Sequence, residues 1–114
     1  MIRRKEECEV KIKEQMRGGP GQAVQTIFVN KEELLDHARL FGNLHLEPGN
    51  GIGYHVHENE TEIFYLVDGE AIYNDNGTEM LVKTGDICIC KSGEGHSITA
   101  KDRACDFVAL IVLQ

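Results

Sequence analysis

Turn-forming residues interrupt this chain about every ten residues, and that punctuation restricts its fold more than any other feature. Pro48-Gly49-Asn50-Gly51, Asp68-Gly69, Asp75-Asn76-Gly77 and Thr84-Gly85 separate short runs rich in β-branched and apolar residues. No long helix fits between them. Residues 23–29, 62–67, 70–74, 79–83, 97–100 and 105–113 read as strands, and Asp75-Asn76-Gly77 is the strongest hairpin signal because Asn and Gly tolerate the positive φ of a tight turn. This pattern predicts an all-β fold, a double-stranded β-helix or jelly roll. Asn30 followed by Glu33 is a capping box that should open one short helix through Leu34-Leu35.

Between the strands, chemistry-bearing residues gather in two stretches, residues 49–69 and 85–96. His55 and His57 alternate along a predicted strand, so both rings leave one face of the sheet. Glu62 follows on the next strand and His96 closes the second stretch, giving three imidazole nitrogens and one carboxylate. That donor set suits one divalent transition metal ion, Mn, Fe, Ni or Zn. Phe64 shares the parity of Glu62 and is expected beside the pocket or in the core. Glu58, Glu60 and Glu94 fall in loops near the mouth and read as solvated, so no catalytic acid or base is assigned.

The spacing resembles the two motifs of the cupin family. The first is G, five residues, HxH, three or four residues, E, six residues, G, and Gly49, His55, His57, Glu62 and Gly69 meet each position. In the second, Gly85, Gly93 and His96 fit, while Lys91 stands where the family has Pro and Ala100 where it has Asn. The resemblance implies a cupin barrel over residues 23–114 behind an N-terminal arm of residues 1–22, a metal held by His55, His57, Glu62 and His96, and a homodimer in which the arm pairs with a neighbour's sheet.

Composition narrows the partners. The chain has 114 residues, enough for a single domain. Its net charge of −7 opposes nucleic-acid binding, which needs a basic surface. No run is long and apolar enough to span a membrane, and the charged start MIRRKEECEVK is unlike a secretory signal, so a cytoplasmic location is expected. Cys8, Cys88, Cys90 and Cys105 fit no zinc spacing and should be reduced, with Cys88 and Cys90 packed as small hydrophobes.

Along residues 39–47, Leu40, Gly42, Leu44 and Leu46 alternate with Arg39, Phe41, Asn43 and His45. The leucine face should be core, which sends Arg39 and His45 outward; the opposite assignment would line the pocket with them. Two open positions on an octahedral ion would chelate a small carboxylate or enediol. The expected function is therefore a metal-dependent enzyme of decarboxylase, isomerase or dioxygenase type acting on a small anionic metabolite; the alternative is a non-catalytic, metal-dependent binding module for a small carboxylate or sugar.

Overall fold

Alternating inward and outward side chains require two sheets to close over each other, and the chain supplies them from short segments. In the computed structural model, which describes residues 1–114, the strands are β1 (Glu9–Glu14), β2 (Gln22–Ile27), β3 (Ala38–Leu46), β4 (Gly51–Val56), β5 (Glu60–Asp68), β6 (Glu70–Asp75), β7 (Thr78–Lys83), β8 (Ile87–Cys90), β9 (Gly95–Ala100) and β10 (Cys105–Leu113). They form a six-stranded sheet in the order β1-β2-β3-β10-β5-β8 and a four-stranded sheet in the order β4-β9-β6-β7. All pairings are antiparallel. This is the jelly roll expected from the turn spacing. Gly69 shows why its turn needs glycine: φ is +87°, and a Cβ there would run into the Ala104 carbonyl oxygen.

Leu44, Leu46, Phe64, Leu66 and Phe107 from the larger sheet pack against Ile52, Tyr73 and Ile98 from the smaller. Each large side chain so buried contributes about 1.5–3 kcal/mol. Cys88, Cys90 and Cys105 are free thiols inside this core; burial raises each to about 11 and keeps it protonated. On β8 the thiols point inward and Ile87 and Ile89 outward. The outer face of the larger sheet carries several exposed apolar side chains, Val10, Ile12, Tyr65, Ile87, Ile89 and Val112.

Three expectations are revised. The arm strand β1, expected to reach a neighbouring subunit, pairs with β2 of its own chain from Glu9↔Ile27 to Glu14↔Gln22. The connection is short and folded on itself, with Gln15 and Arg17 in the left-handed region and Gln15 N–H donating to the Gly21 carbonyl (2.8 Å), so pairing within the chain costs little loop entropy. Around residues 30–36 the capping box forms, with Glu33 N–H to Asn30 Oδ1 at 2.8 Å and Asn30 N–H to Glu33 Oε1 at 2.9 Å, yet only hydrogen-bonded turns follow. Leu35 and Asp36 have φ of +56° and +58°, which stops a helix before its nucleation cost is recovered.

The third revision concerns β3. Leu44 and Leu46 are buried and His45 lies on the outer face, as expected. The β10 register shifts between Ile111, opposite Leu40, and Val112, opposite Ala38, leaving Arg39 as the extra residue of a bulge. Arg39 therefore escapes strict alternation and reaches the cavity inside the barrel.

Candidate metal centre

Three strands, β4 with the residue that follows it, β5 and β9, bring the expected ligands together. His55 on β4 is the cross-strand partner of His96 on β9. A register shift between Ile52 and His55 lets both residues face the interior, although they are three apart. His57 follows β4 and is pinned through its backbone, its N–H donating to the Glu94 carbonyl (3.0 Å) and its carbonyl accepting from Gly93 N–H (2.7 Å). Glu62 comes from β5 across the barrel, opposite Ile111 and Cys90. One donor atom from each of His55, His57, Glu62 and His96 lies within 4.8 Å of all the others.

The hydrogen bonds behind the rings aim their Nε2 atoms at one point. His55 Nδ1 lies 2.7 Å from the Gly53 carbonyl oxygen and must donate to it. His57 Nδ1 donates to Glu60 Oε2 at 2.6 Å. In a neutral ring whose Nδ1 carries the proton, Nε2 is a bare lone pair. Yet His55 Nε2 and His57 Nε2 are 3.1 Å apart, His57 Nε2 and His96 Nε2 are 3.1 Å apart, and Glu62 Oε1 sits 3.0 and 3.1 Å from His57 Nε2 and His96 Nε2. Lone pairs so close repel. The set becomes favourable if one ring is charged or if a cation accepts all four donors. Burial lowers the pKa of His55 and opposes charging there, whereas hydrogen bonding to Glu62 raises that of His57. Burial works against the Glu62 carboxylate, but hydrogen bonds from His57 and His96 hold its pKa below the usual value. The donor set fits a divalent transition metal, which would replace the repulsion with four bonds.

A further ring of contacts holds these ligands. Glu60 accepts from His57 and also takes a bidentate pair from Arg39, Nε and Nη2 each at 2.7 Å. The Arg39 guanidinium is the main cause that brings Glu60 down to about 2. Glu60 is thus a fixed orienter of His57, not the solvated loop residue expected from sequence. Carboxylate backing of a metal-binding imidazole fixes its tautomer and raises its basicity. Tyr73 Oη lies 2.7 Å from His96 Nδ1 and backs that ring from β6. Phe64 stacks on His96 with centroids 5.0 Å apart and planes 19° apart, and meets Phe107 at 4.6 Å. It sits behind His96 in the core and does not line the cavity.

Tyr73 and the Arg39–Glu60 pair were not singled out from sequence. Inward alternation on β6 was the only signal for Tyr73, and the bulge hid Arg39. Lys91 is exposed, its N–H donating to Glu94 Oε1 (2.8 Å), so Glu94 shapes the loop. Ala100 is buried in the core.

The N-terminal segment closes the site from outside. The turn at Met16–Gly18 lies on β4, where Gly53 has no room for a Cβ because the Arg17 carbonyl oxygen already fills that space. Gly51 N–H donates to the Pro20 carbonyl at 2.9 Å. The cavity that opens onto His55, His57 and Glu62 has a volume of about 390 Å³.

Comparison with known proteins agrees with this geometry. Residues 42–113 match the family model described as a cupin domain. A protein of Thermotoga maritima named oxalate-binding protein is 41% identical over 99 residues, covering 86% of this chain and 82% of that protein. The crystal structure of a predicted oxalate decarboxylase from Thermotoga maritima superimposes with a TM-score of 0.95 at 38% identity over 100% of both chains. A double-stranded β-helix protein from Klebsiella pneumoniae aligns with a TM-score of 0.69 at 25% identity, over 80% of this chain and 72% of that one. With its two motifs, its jelly-roll barrel and relatives of this similarity, the chain belongs to the cupin family.

Proposed function

We propose that this cupin binds one divalent transition metal, Mn, Fe, Ni or Zn, through His55, His57, Glu62 and His96, and uses it to capture a small carboxylate, with oxalate as the first ligand to test. The observation that carries this reading is the convergence of three imidazole nitrogens and a Glu62 carboxylate oxygen, all within 4.8 Å of one another, in a largely buried site. When bound there, the metal would supply charge for chelation and for polarising a substrate oxygen. The chain's own residues would do the rest. Gly53 and Glu60 hold the imidazole tautomers, and Phe64 and Tyr73 brace His96.

Capture is favoured over turnover because Glu60, the carboxylate behind His57, is committed to Arg39 and His57 and is not free to shuttle protons. The second reading, decarboxylase, isomerase or dioxygenase chemistry, draws support from the Thermotoga maritima structure of a predicted oxalate decarboxylase. The exposed apolar side chains on the outer face of the larger sheet support a homodimer, and four free thiols suit a reducing, cytoplasmic setting.

Elemental analysis paired with calorimetry tests the proposal. Protein purified without chelator should carry about one equivalent of transition metal and bind oxalate, and chelator-treated protein should bind none. Well-folded protein that takes up no metal on titration would sink the reading. Release of carbon dioxide from oxalate, with or without oxygen, would move the assignment to turnover.

A further inference from the structure

Strand β1 is amphipathic in the inverted sense. Elsewhere in the larger sheet most inward residues are apolar, among them Ala23, Leu44, Leu46, Phe64 and Phe107. On β1 the apolar Val10 and Ile12 point outward and are exposed, while Lys11 faces inward opposite buried Gln25 and Lys13 opposite buried Ala23. A slip of one residue would exchange these faces. The observed register instead places Lys11 and Lys13, both solvent-exposed, on the wall of the cavity that holds His55, His57 and Glu62. Arg17, in the turn after β1, lines the same cavity.

The charge pattern is unusual for this protein. The chain as a whole carries −7. The cavity wall nevertheless gathers Lys11, Lys13, Arg17, Lys31 and Arg39, against the carboxylates of Glu9 and Glu62. Arg39 is taken by Glu60, whereas Lys11, Lys13 and Arg17 form no ion pair. In a molecule that repels anions at long range, unpaired and solvent-exposed cations gathered along one cavity wall create a local field that draws an anion towards it.

Size points the same way. At roughly 30 Å³ per water, the cavity of about 390 Å³ could hold about a dozen waters. A dianion as small as oxalate would occupy only the part next to the ligand cluster and leave the lysines without a partner. We infer that the β1 lysines and Arg17 form an outer anion subsite, and that the ligand is a 2-oxo or 2-hydroxy acid with a second acidic group at its far end. This rests on the proposed metal–carboxylate capture and adds a second point of recognition to it.

Matched ligands separate the two ideas. Metal-loaded protein is titrated by calorimetry with oxalate, with 2-oxopentanoate and with 2-oxoglutarate, the last two differing only by a methyl or a carboxylate at the far end. 2-Oxoglutarate should bind at least about 10-fold more tightly than 2-oxopentanoate, a difference of about 1.4 kcal/mol. In the Lys11→Ala/Lys13→Ala variant that preference should fall to within about 2-fold, while metal content and oxalate affinity stay unchanged, which also reports an intact fold. A second pair, 3-phosphoglycerate against glycerate, asks whether the far group is a phosphate. Preference in either pair that vanishes in the variant supports the subsite. No preference in both pairs, or a preference that survives the double substitution, overturns it. If wild-type, metal-loaded protein fails to bind oxalate, the capture reading falls and the subsite falls with it.

Discussion

Two clusters in this barrel join imidazoles to carboxylates, and they differ in what surrounds them. On the outer face of the larger sheet, His45 lies between Glu47 (Nε2 to Oε2, 2.8 Å) and Asp106 (Nδ1 to Oδ1, 3.0 Å). Inside, His55, His57 and His96 surround the single carboxylate of Glu62. His45 is 35% exposed, whereas His57 is 2% and His96 1% exposed. Outside, carboxylates outnumber the ring and occupy both of its nitrogens, so the cluster is satisfied by one proton and water. Inside, rings outnumber carboxylates, each Nδ1 faces a partner behind it, and the free Nε2 atoms face one another. The ratio of donors to acceptors, together with burial, makes one an ordinary ion pair and the other a cation site.

The sharpest way to break this comparison is to remove one ring from each. His57→Ala should eliminate stoichiometric metal measured by elemental analysis, and His45→Ala should leave metal content unchanged. Equal loss in both would mean that the outer cluster binds the ion. A smaller effect probes the backing of the inner rings. Glu60→Gln removes the negative charge behind His57 and should weaken metal affinity by about 10–100-fold in a chelator competition. An unchanged affinity would show that His57 needs no orienter.

The smallest effect is a pH dependence confined to the outer cluster. Burial opposes charging of His45, but hydrogen bonds to Glu47 and Asp106 outweigh it and raise its pKa above the usual 6.5. A raised folded pKa means that the charged form stabilises the fold below the unfolded value, near 6.5, and that this stabilisation is lost as pH rises through the folded value. Because the ring is about one-third exposed, the contribution should be under about 1 kcal/mol. His45→Gln should flatten thermal stability between about pH 6 and 8 relative to wild type. A variant whose stability falls as steeply as wild type over that range would assign the dependence to other groups.

These clusters also show what could be read in the sequence. His55 and His57 were legible because an interval of two puts side chains on one face of a strand. Glu62 and His96 needed a known motif, since nothing local reveals which distant strands will lie opposite. The leucine face of β3 followed from alternation, but Arg39 did not, because a bulge adds a residue and breaks the parity on which the argument depends. β1 misleads for another reason. Val10 and Ile12 alternate with lysines as an edge strand should, but which face turns inward depends on what each sheet surface meets, and local sequence does not encode that. The capping box at Asn30 was legible as a turn, while the left-handed backbone of Leu35 and Asp36 that ended it was not.

The position of β10 bears on how the molecule comes into being. The last strand in chain order lies between β3 and β5 and forms both of the longest pairings in the larger sheet. As the polypeptide is made from its N-terminus, β3 and β5 emerge first with their inner edges open and cannot close on each other. Glu62 rides on β5 directly opposite Ile111. Completing the larger sheet beside the ligand cluster therefore depends on inserting residues 105–113, through β3–β10 contacts that span more than half the chain, a slow class of event. Metal capture would follow insertion of β10, as a mark that the barrel is closed.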